Sequence, residues 1–171
     1  MFLSEDEIVE KGYVLEKHRS KILKQRYLPT IKGLPQVRAF VERLLADGKK
    51  LASASSAKGD ELKVYEKIAG IEDLISTETS SDDAEESKPN ADIFLDALKR
   101  LEGIEVDDAI VVGDTPYDAE AASKAGIRTI GLLSGGWTAD EMKQSGCIAT
   151  CRDPADLLAQ CVTSPLVGSQ A

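Results

Sequence analysis

The segment Ala109-Ile-Val-Val-Gly-Asp-Thr-Pro-Tyr-Asp-Ala-Glu-Ala-Ala-Ser-Lys-Ala-Gly126 carries the clearest structural pattern in this chain of 171 residues. Its apolar run, residues 109–112, predicts a short buried strand. That strand should end at Gly113, which puts Asp114 at its carboxyl end. A carboxylate at that edge of a parallel sheet lies where ligands of α/β proteins usually bind.

A helix is predicted to follow this strand. Thr115 can cap it, Pro116 suits its first turn, and Gly126 stands where it should stop. Asp118 follows Asp114 by four residues and can return to the same side one turn up. Two such carboxylates suit a hard cation such as Mg²⁺. The alternative is that Asp118 only stabilises the positive end of the helix dipole.

Length and charge bound the classes of function. A chain of 171 residues suits one domain with a modest appendage. The net charge of −9 argues against nucleic acid or an anionic membrane as a partner, but not against a small phosphorylated substrate. No signal peptide or membrane-spanning apolar run is seen, so we expect a soluble, cytoplasmic protein. The oligomeric state stays open.

The cysteines do not suggest a metal centre. Cys147, Cys151 and Cys161 cluster late in the chain, and the one histidine, His18, is far away in sequence. A zinc site has too few ligands of the usual types, so free thiols are predicted. His18 lies among basic residues and is expected to be solvated.

Helices and strands are predicted to alternate. Helices are expected at residues 4–28, 33–48, 62–68, 90–101, 115–125, 138–144 and 153–161. Strands are expected at residues 49–53, 74–77, 109–112 and 129–133, with a marginal strand at 147–149. Residues 80–87 should form a polar, acidic loop. This alternation is typical of an α/β domain with a mainly parallel sheet.

Two further segments carry candidate chemistry. Lys49-Lys-Leu-Ala-Ser-Ala-Ser-Ser56 ends a predicted strand in small hydroxyl residues, whose amides and hydroxyls suit phosphate oxygens. An ordinary turn with a serine cap is the alternative. In Ser87-Lys-Pro-Asn-Ala-Asp-Ile-Phe94, Pro89 should start a helix and hold Lys88 just before it. Lys88 could pair with a phosphate and the metal-site carboxylates, or be a solvated surface lysine.

In this order the three segments resemble motifs two, three and four of the haloacid dehalogenase-like (HAD) hydrolase superfamily. The matching pieces are Leu-Ala-Ser53-Ala-Ser, Lys88-Pro with Phe94, and Val-Val-Gly-Asp114-Thr-Pro-Tyr-Asp118. Ala125-Gly-Ile-Arg-Thr-Ile-Gly-Leu and Ser134-Gly-Gly-Trp137 resemble its phosphatase branch, which includes phosphoglycolate phosphatases. The resemblance covers residues 31–158 and implies a Rossmann-like parallel sheet flanked by helices.

The resemblance also implies residue roles. Ser53 would bind the transferring phosphoryl group through its hydroxyl, helped by the amide of Ala54. Lys88 would offset negative charge on the nucleophile and the phosphate. Asp114 would coordinate Mg²⁺, and Asp118 would hold Lys88 or the water shell of the metal. Ser53, Lys88 and Asp118 are thus the expected catalytic residues, because phosphoryl transfer depends on positioning and charge stabilisation.

One family motif is absent. Motif one is an aspartate nucleophile followed two residues later by a second aspartate, and no Asp-x-Asp-x-Thr/Val sequence occurs. Asp82-Asp83 lies in the polar loop, and Asp107-Asp108 precedes a strand rather than ending one. We therefore expect an N-terminally truncated, inactive chain. Residues 1–32 would be a remnant of the helical cap, residues 33–162 the core, and residues 163–171 a flexible tail.

The missing first strand has a structural consequence. In the family it lies between the strands that correspond to residues 49–53 and 109–112. Without it, those strands would expose unpaired backbone groups and apolar side chains. Either the two halves close the gap, another chain fills it, or the fold is marginally stable.

Several functions stay open from sequence alone. The first is a Mg²⁺-dependent phosphatase of a small phosphomonoester, of the phosphoglycolate or sugar-phosphate type. Phosphomutases and dehalogenases belong to the same superfamily, but dehalogenases do not need the metal. The second is a non-catalytic phosphate-binding or interaction module that has lost its nucleophile. A receiver-like signalling domain is the third, but it needs a phosphoacceptor aspartate ending a central strand, and none is found.

Overall fold

The computed structural model describes residues 5–83 and 88–160, with side chains from residue 11 onward. The chain divides into two compact units, Met1–Lys32 and Gly33–Ala171. In the first unit, helix α1 spans Glu5–Ile22 and continues into a π-helical turn, Leu23–Tyr27, and a 3-10 turn, Leu28–Thr30. Pro29 lies in this last turn, where its missing amide hydrogen helps to end the helix. The capping residue predicted for α1, Ser4, is outside the described residues.

In the second unit, helices and strands alternate. The helices are α2 (Val37–Ala46), α3 (Gly59–Ala69), α4 (Asp92–Arg100), α5 (Pro116–Lys124), α6 (Ala139–Gln144) and α7 (Pro154–Ala159). The strands are β1 (Ser53–Ala54), β2 (Glu78–Thr79), β3 (Ile110–Gly113), β4 (Arg128–Leu132) and β5 (Cys147–Cys151). Single 3-10 turns precede β3, at Val106–Asp108, and follow β4, at Leu133–Gly135.

The strands form two parallel sheets. β1 pairs with β2, while β3, β4 and β5 pair in that order. Each pair is joined by a crossover that contains a helix, as parallel pairing requires. The predicted α/β fold with parallel strands flanked by helices is confirmed.

Both faces of the three-stranded sheet are covered. Ile110 and Val112 pack into a core with α2, β4, β5 and α7, formed by Phe40, Leu44, Ile130, Leu132, Cys151 and Leu157. Val111, between them in sequence, packs on the other face against Ile93, Phe94, Ala121, Ala122, Ala125 and Ile127. This alternation along β3 explains its continuous apolar run, because a strand buried on both faces needs no polar positions.

The predicted bounds of the first two strands are wrong. Instead of residues 49–53 and 74–77, the paired residues are Ser53–Ala54 and Glu78–Thr79. The ladder continues only to the Ser53 amide, which donates to Thr77, and the Ser55 amide, which donates to Thr79. β1 and β2 have only each other as partners within the described chain, and the apolar residues before them are half-buried without being paired.

Three other expectations are corrected. Helix α4 begins at Asp92, so Pro89 precedes it and does not start it; the Lys88–Pro89 peptide is cis. The marginal strand at residues 147–149 is the full strand β5, Cys147–Cys151, which pairs along β4. Helix α7 ends at Ala159. Cys161 and the predicted tail, residues 163–171, lie outside the described residues.

A gap separates the two sheets. β1 and β3 are not hydrogen-bonded to each other in the described structure, and a cavity of about 730 Å³ lies against both. Its lining is mostly apolar and includes Leu51, Ala52, Ile110 and Val112. The two halves of the sheet therefore do not close on each other. None of the described helices is both long and apolar enough to cross a membrane.

Candidate active site

The start of α5 fixes the position of Asp118. Thr115 is the N-cap residue, and its side chain accepts a hydrogen bond from the Asp118 amide at 3.3 Å. In return, Asp118 Oδ2 accepts from the Thr115 amide at 3.0 Å and from its hydroxyl at 2.8 Å. Pro116 occupies the first turn. The predicted cap is therefore present as a reciprocal capping box, with Asp118 as its acidic member.

Gly113 makes room for this carboxylate. A Cβ atom at Gly113 would lie 2.5 Å from Cβ and 2.8 Å from Cγ of Asp118. Asp118 is only 7% exposed, directly beneath the end of β3. The strand can therefore end over the helix only because residue 113 has no side chain.

Lys88 joins the ends of the two sheets. Its Nζ donates to Asp118 Oδ1 at 2.7 Å and to the carbonyl oxygen of Ala54 at 3.1 Å. The Lys88 and Asp118 side chains are only 13% and 10% exposed. The Lys88 ammonium also lies 5.0 Å from the ring centroid of Phe94. The alternative of a solvated surface lysine is wrong, because this charge is desolvated and paired.

Asp114 lies beside this pair at the carboxyl end of β3. The residue is exposed as a whole, but protein atoms shield its carboxyl group from part of the solvent. This desolvation raises the pKa of Asp114, the negative charge of Asp118 raises it further, and Lys88 opposes the shift. A nearby cation would relieve the negative charge that accumulates here.

The donor set at this edge fits a hard cation only in part. The Asp114 carboxylate is the ligand type that Mg²⁺ prefers, whereas both Asp118 oxygens are already engaged. The described residues contain no group of three or more His, Cys, Asp or Glu side chains placed to hold a metal. Asp114 would therefore hold Mg²⁺ together with water, which is common for this ion.

Gly135 packs directly against the backbone of Asp114. The turn Leu133–Gly135 packs so closely that a Cβ atom on Gly135 would lie 2.0 Å from the carbonyl oxygen of Asp114. It would also lie 3.1 Å from Cβ of Asp114. In the sequence, Ser134-Gly-Gly-Trp137 resembles the phosphatase branch of the family, but that resemblance predicts no contact between Gly135 and Asp114. The signal that was missed is a glycine pair directly after a parallel strand, at the edge that carries the site.

Ser53 lies near the site, but its hydroxyl faces Glu66 in α3 rather than Lys88. Its carbonyl oxygen accepts a hydrogen bond of 3.3 Å from the buried hydroxyl of Thr79, which anchors the end of β1. The Ser53 hydroxyl faces the carboxyl group of Glu66 in α3 and lowers its pKa. The structure thus brings Ala54, Lys88 and Asp118 into direct contact, with Asp114 beside them. The hydroxyl of Ser53 makes no hydrogen bond to Lys88.

Glu66 itself was not expected. It is 3% exposed, and neither of its carboxylate oxygens has a hydrogen-bond partner within the described part of the chain. Burial raises the pKa of Glu66, and the nearby carboxylates of Glu78 and Glu72 raise it further. The missed signal is that Glu66 follows the buried Leu62 by four residues, so both lie on the inner face of α3.

The two described cysteines are structural. Cys147 and Cys151 are buried free thiols, as predicted. Burial raises the pKa of Cys147, and the charge of Asp118 raises it further, so this thiol is kept in its unreactive protonated form.

Comparison with known proteins identifies the family. The sequence profile of the haloacid dehalogenase-like hydrolases matches residues 3–132. A haloacid dehalogenase-like hydrolase domain-containing protein of Arabidopsis thaliana is 35% identical over 114 residues, covering 62% of this chain and 36% of that protein. The pyrophosphatase PpaX of Bacillus velezensis is 31% identical over 98 residues, covering 57% of this chain and 44% of its own length.

The fold agrees with that assignment. The crystal structure of a hydrolase from Pseudomonas syringae superposes with a TM-score of 0.84 at 27% identity, covering 94% of this chain and 71% of that one. The chain spans about a third to about half of the length of the curated relatives compared here. The profile match extends over more than half of the chain and includes Ser53, Lys88, Asp114 and Asp118. The chain is therefore a member of the haloacid dehalogenase-like hydrolase family.

Proposed function

We propose that this chain is part of a Mg²⁺-dependent phosphatase that acts on a small phosphomonoester. The observation that carries the proposal is the buried Lys88, which bonds both the end of β1 at Ala54 and the carboxylate of Asp118. A fixed cation between two strand ends is what a dianionic phosphate needs at its binding site. Relatives of this chain include a pyrophosphatase, which supports phosphorylated substrates as a class.

In this proposal each residue has one role. Ser53 donates its hydroxyl and Ala54 its amide to the phosphoryl oxygens, and Lys88 offsets their charge. Asp118 orients Lys88 through the 2.7 Å ion pair, and Asp114 holds the metal. Bound Mg²⁺ supplies further neutralisation of phosphoryl charge. The net charge of −9 does not oppose this, because the substrate meets the local field of Lys88.

The nucleophile has to come from outside this chain in this proposal. No described strand ends in an Asp-x-Asp pair, and the sequence contains none. The apolar cavity between β1 and β3 offers two strand edges to one inserted parallel strand. We infer that a segment beyond these 171 residues, in cis or in trans, fills this gap and carries the nucleophile. The chain alone would then bind phosphate and Mg²⁺ without turnover.

The second candidate is a non-catalytic phosphate-binding module. It is favoured by one observation, the absence of the aspartate pair, and it shares the same Lys88 and Asp118 contacts. The two candidates differ in what happens when a strand with the aspartate pair is supplied. Activity appears in the first case and does not appear in the second.

Magnesium binding tests the metal assignment. Asp114→Asn should lower Mg²⁺ affinity at least about tenfold, because it removes the one charged ligand. Titration calorimetry of the 171-residue chain measures this directly. Asp140→Asn, an exposed acid in the first turn of α6, makes the same charge change away from β3 and should leave the affinity unchanged. Equal affinities for the wild-type chain and Asp114→Asn would show that Asp114 is not the ligand.

A further inference from the structure

The buried carboxyl group of Glu66 has no assigned role in the proposed chemistry. It lies in the middle of α3 and is 3% exposed, and its two oxygens lack hydrogen-bond partners within the described residues. Buried polar groups almost always have a hydrogen-bond partner, so an unpartnered buried acid calls for a physical explanation. Its position behind β1 connects it to the phosphate site.

The groups that face Glu66 come from two strands and a turn. Ser53 in β1 presents its hydroxyl, Glu78 in β2 its carboxylate, and Glu72 in the turn after α3 a more exposed one. Glu78 is also the residue paired with Ser53 in the ladder, which places both beside the same carboxyl group. Arg100 is the nearby cation on α4, and it is engaged with the carbonyl of Glu78 and with Asp83. Ser53 is thus the neutral hydrogen-bond donor in this set.

This arrangement creates a competition for one proton donor. An ionised Glu66 carboxylate can be satisfied by the Ser53 hydroxyl, which must then point toward α3. A neutral Glu66 carries its own proton and has less need of that donor. The Ser53 hydroxyl can then turn to an anion at the carboxyl end of β1.

We propose that Glu66 is a proton-linked positioning residue of the phosphate site, which competes with a bound tetrahedral dianion for the hydroxyl hydrogen of Ser53. The inference rests on the proposed function, because it takes Ser53 as a phosphate ligand. On anion binding, the Ser53 hydroxyl turns from Glu66 to the anion and donates a hydrogen bond to it, and Glu66 takes one proton from solvent. By linkage, protons and the anion then promote each other's binding.

Two features make Glu66 suited to this exchange. Burial and the two neighbouring carboxylates raise its pKa above the ordinary value of 4.5, so its protonation responds to its surroundings. As pH rises through this raised pKa, Glu66 ionises, holds Ser53, and the anion affinity falls.

The test uses sulfate, whose charge is constant over the pH range of the measurements. Calorimetry between about pH 5 and pH 8, in buffers of different ionisation enthalpy, measures both affinity and protons taken up. The wild-type chain should take up as much as about one proton at Glu66 for each sulfate bound, and its affinity should fall by up to about tenfold per pH unit. Glu66→Gln keeps the size of the neutral acid but cannot titrate, so that uptake should disappear.

Glu78→Gln provides a second variant. It removes the neighbouring carboxylate that raises the pKa of Glu66 most, so Glu66 ionises more easily and the pH of maximal proton uptake should move down. Ser53→Ala should weaken sulfate binding and abolish the share of uptake that Glu66→Gln abolishes. Equal proton uptake in the wild-type chain and Glu66→Gln, with sulfate still bound, would overturn the role of Glu66 and leave the phosphate site intact. No sulfate binding to the wild-type chain at any pH would overturn the phosphate site itself.

Discussion

At the residue scale, Asp118 serves two partners at once. One oxygen caps α5 through Thr115, and the other holds the buried ammonium of Lys88. We therefore expect the acidic residue of this capping box to contribute more to the free energy of unfolding than the acidic residue of an ordinary capping box. Helix α6 offers the comparison, since Thr138 and Glu141 form an exposed capping box with no lysine.

This comparison gives a matched pair of variants. Asp118→Ala should lower the free energy of unfolding by about 3 kcal/mol or more, because it leaves Lys88 buried and unpaired. Glu141→Ala, at the equivalent position of α6, should cost about 1 kcal/mol. Urea denaturation of both variants measures the difference. Equal losses would mean that the ion pair adds nothing beyond the cap.

Gly135 gives a second residue-scale prediction. A methyl group there would lie 2.0 Å from a backbone oxygen of Asp114, which must then move. Gly135→Ala should lower Mg²⁺ affinity about tenfold and stability by about 1–3 kcal/mol. Gly59→Ala is the control, since its Cβ would meet neighbours only at 3.6 Å or beyond. Unchanged Mg²⁺ affinity in Gly135→Ala would separate this turn from the position of Asp114.

Sequence patterns predicted the site residues that have a local cause, and the family resemblance implied the pairing of Lys88 with Asp118, but neither predicted Glu66 or Gly135. Asp114, Thr115 and Asp118 follow from a strand end and a helix cap, which a few neighbouring residues determine. Glu66 and Gly135 matter only because segments distant in sequence pack against them. From the sequence alone, a buried acidic residue such as Glu66 cannot be distinguished from an exposed one, because its burial depends on segments distant in sequence.

At the element scale, the end of β2 is held to α4 by charge. Asp83 accepts hydrogen bonds from the amide and hydroxyl of Ser80 at 2.9 and 2.8 Å, and from Arg100 at 2.6 Å. Arg100 also donates to the carbonyl of Glu78 at 2.6 Å. These bonds lower the pKa of Asp83 to about 2, with the Ser80 amide as the largest cause and Arg100 next.

This depressed pKa predicts an acid-sensitive contact. The folded state favours ionised Asp83, so its stabilising contribution is complete above the ordinary pKa of 3.8 and is lost as pH falls toward 2. Asp83→Asn should therefore lower Tm relative to the wild type above pH 3.8, and the difference should shrink toward pH 2. Asp140→Asn serves as a control for loss of an exposed charge. A difference in Tm that does not change with pH would contradict the ion pair.

The elements themselves were predicted unevenly, for a physical reason. The strand at residues 109–112 was predicted nearly to the residue, because β3 packs against apolar residues on both faces and pairs with β4. β1 and β2 were misplaced, because their apolar residues lie just before the positions that form hydrogen bonds. Helix α4 starts at Asp92 rather than at residue 90, because residues 88–91 form a turn and a bend before it. An apolar sequence pattern indicates which residues are shielded from solvent. The limits of a strand depend instead on which residues hydrogen-bond to a neighbouring strand.

At the scale of the whole second unit, the fold and the proposed chemistry depend on the same gap. β1 and β3 each present an edge to the apolar cavity, and both end beside the contact of Lys88 with Ala54 and Asp118. One inserted strand would pair both edges and bring its carboxyl end to that contact. Stability and activity should therefore be restored by the same segment.

The most direct test supplies that segment and measures phosphate release. A motif-one strand from a HAD phosphatase is added, fused or as a peptide, together with a control in which both of its aspartates are asparagine. The chain alone should show no turnover of a phosphomonoester with Mg²⁺. Both segments should raise Tm, and only the aspartate form should release phosphate. Turnover by the chain alone that Asp114→Ala abolishes, or no change in Tm and turnover with either segment, would contradict this.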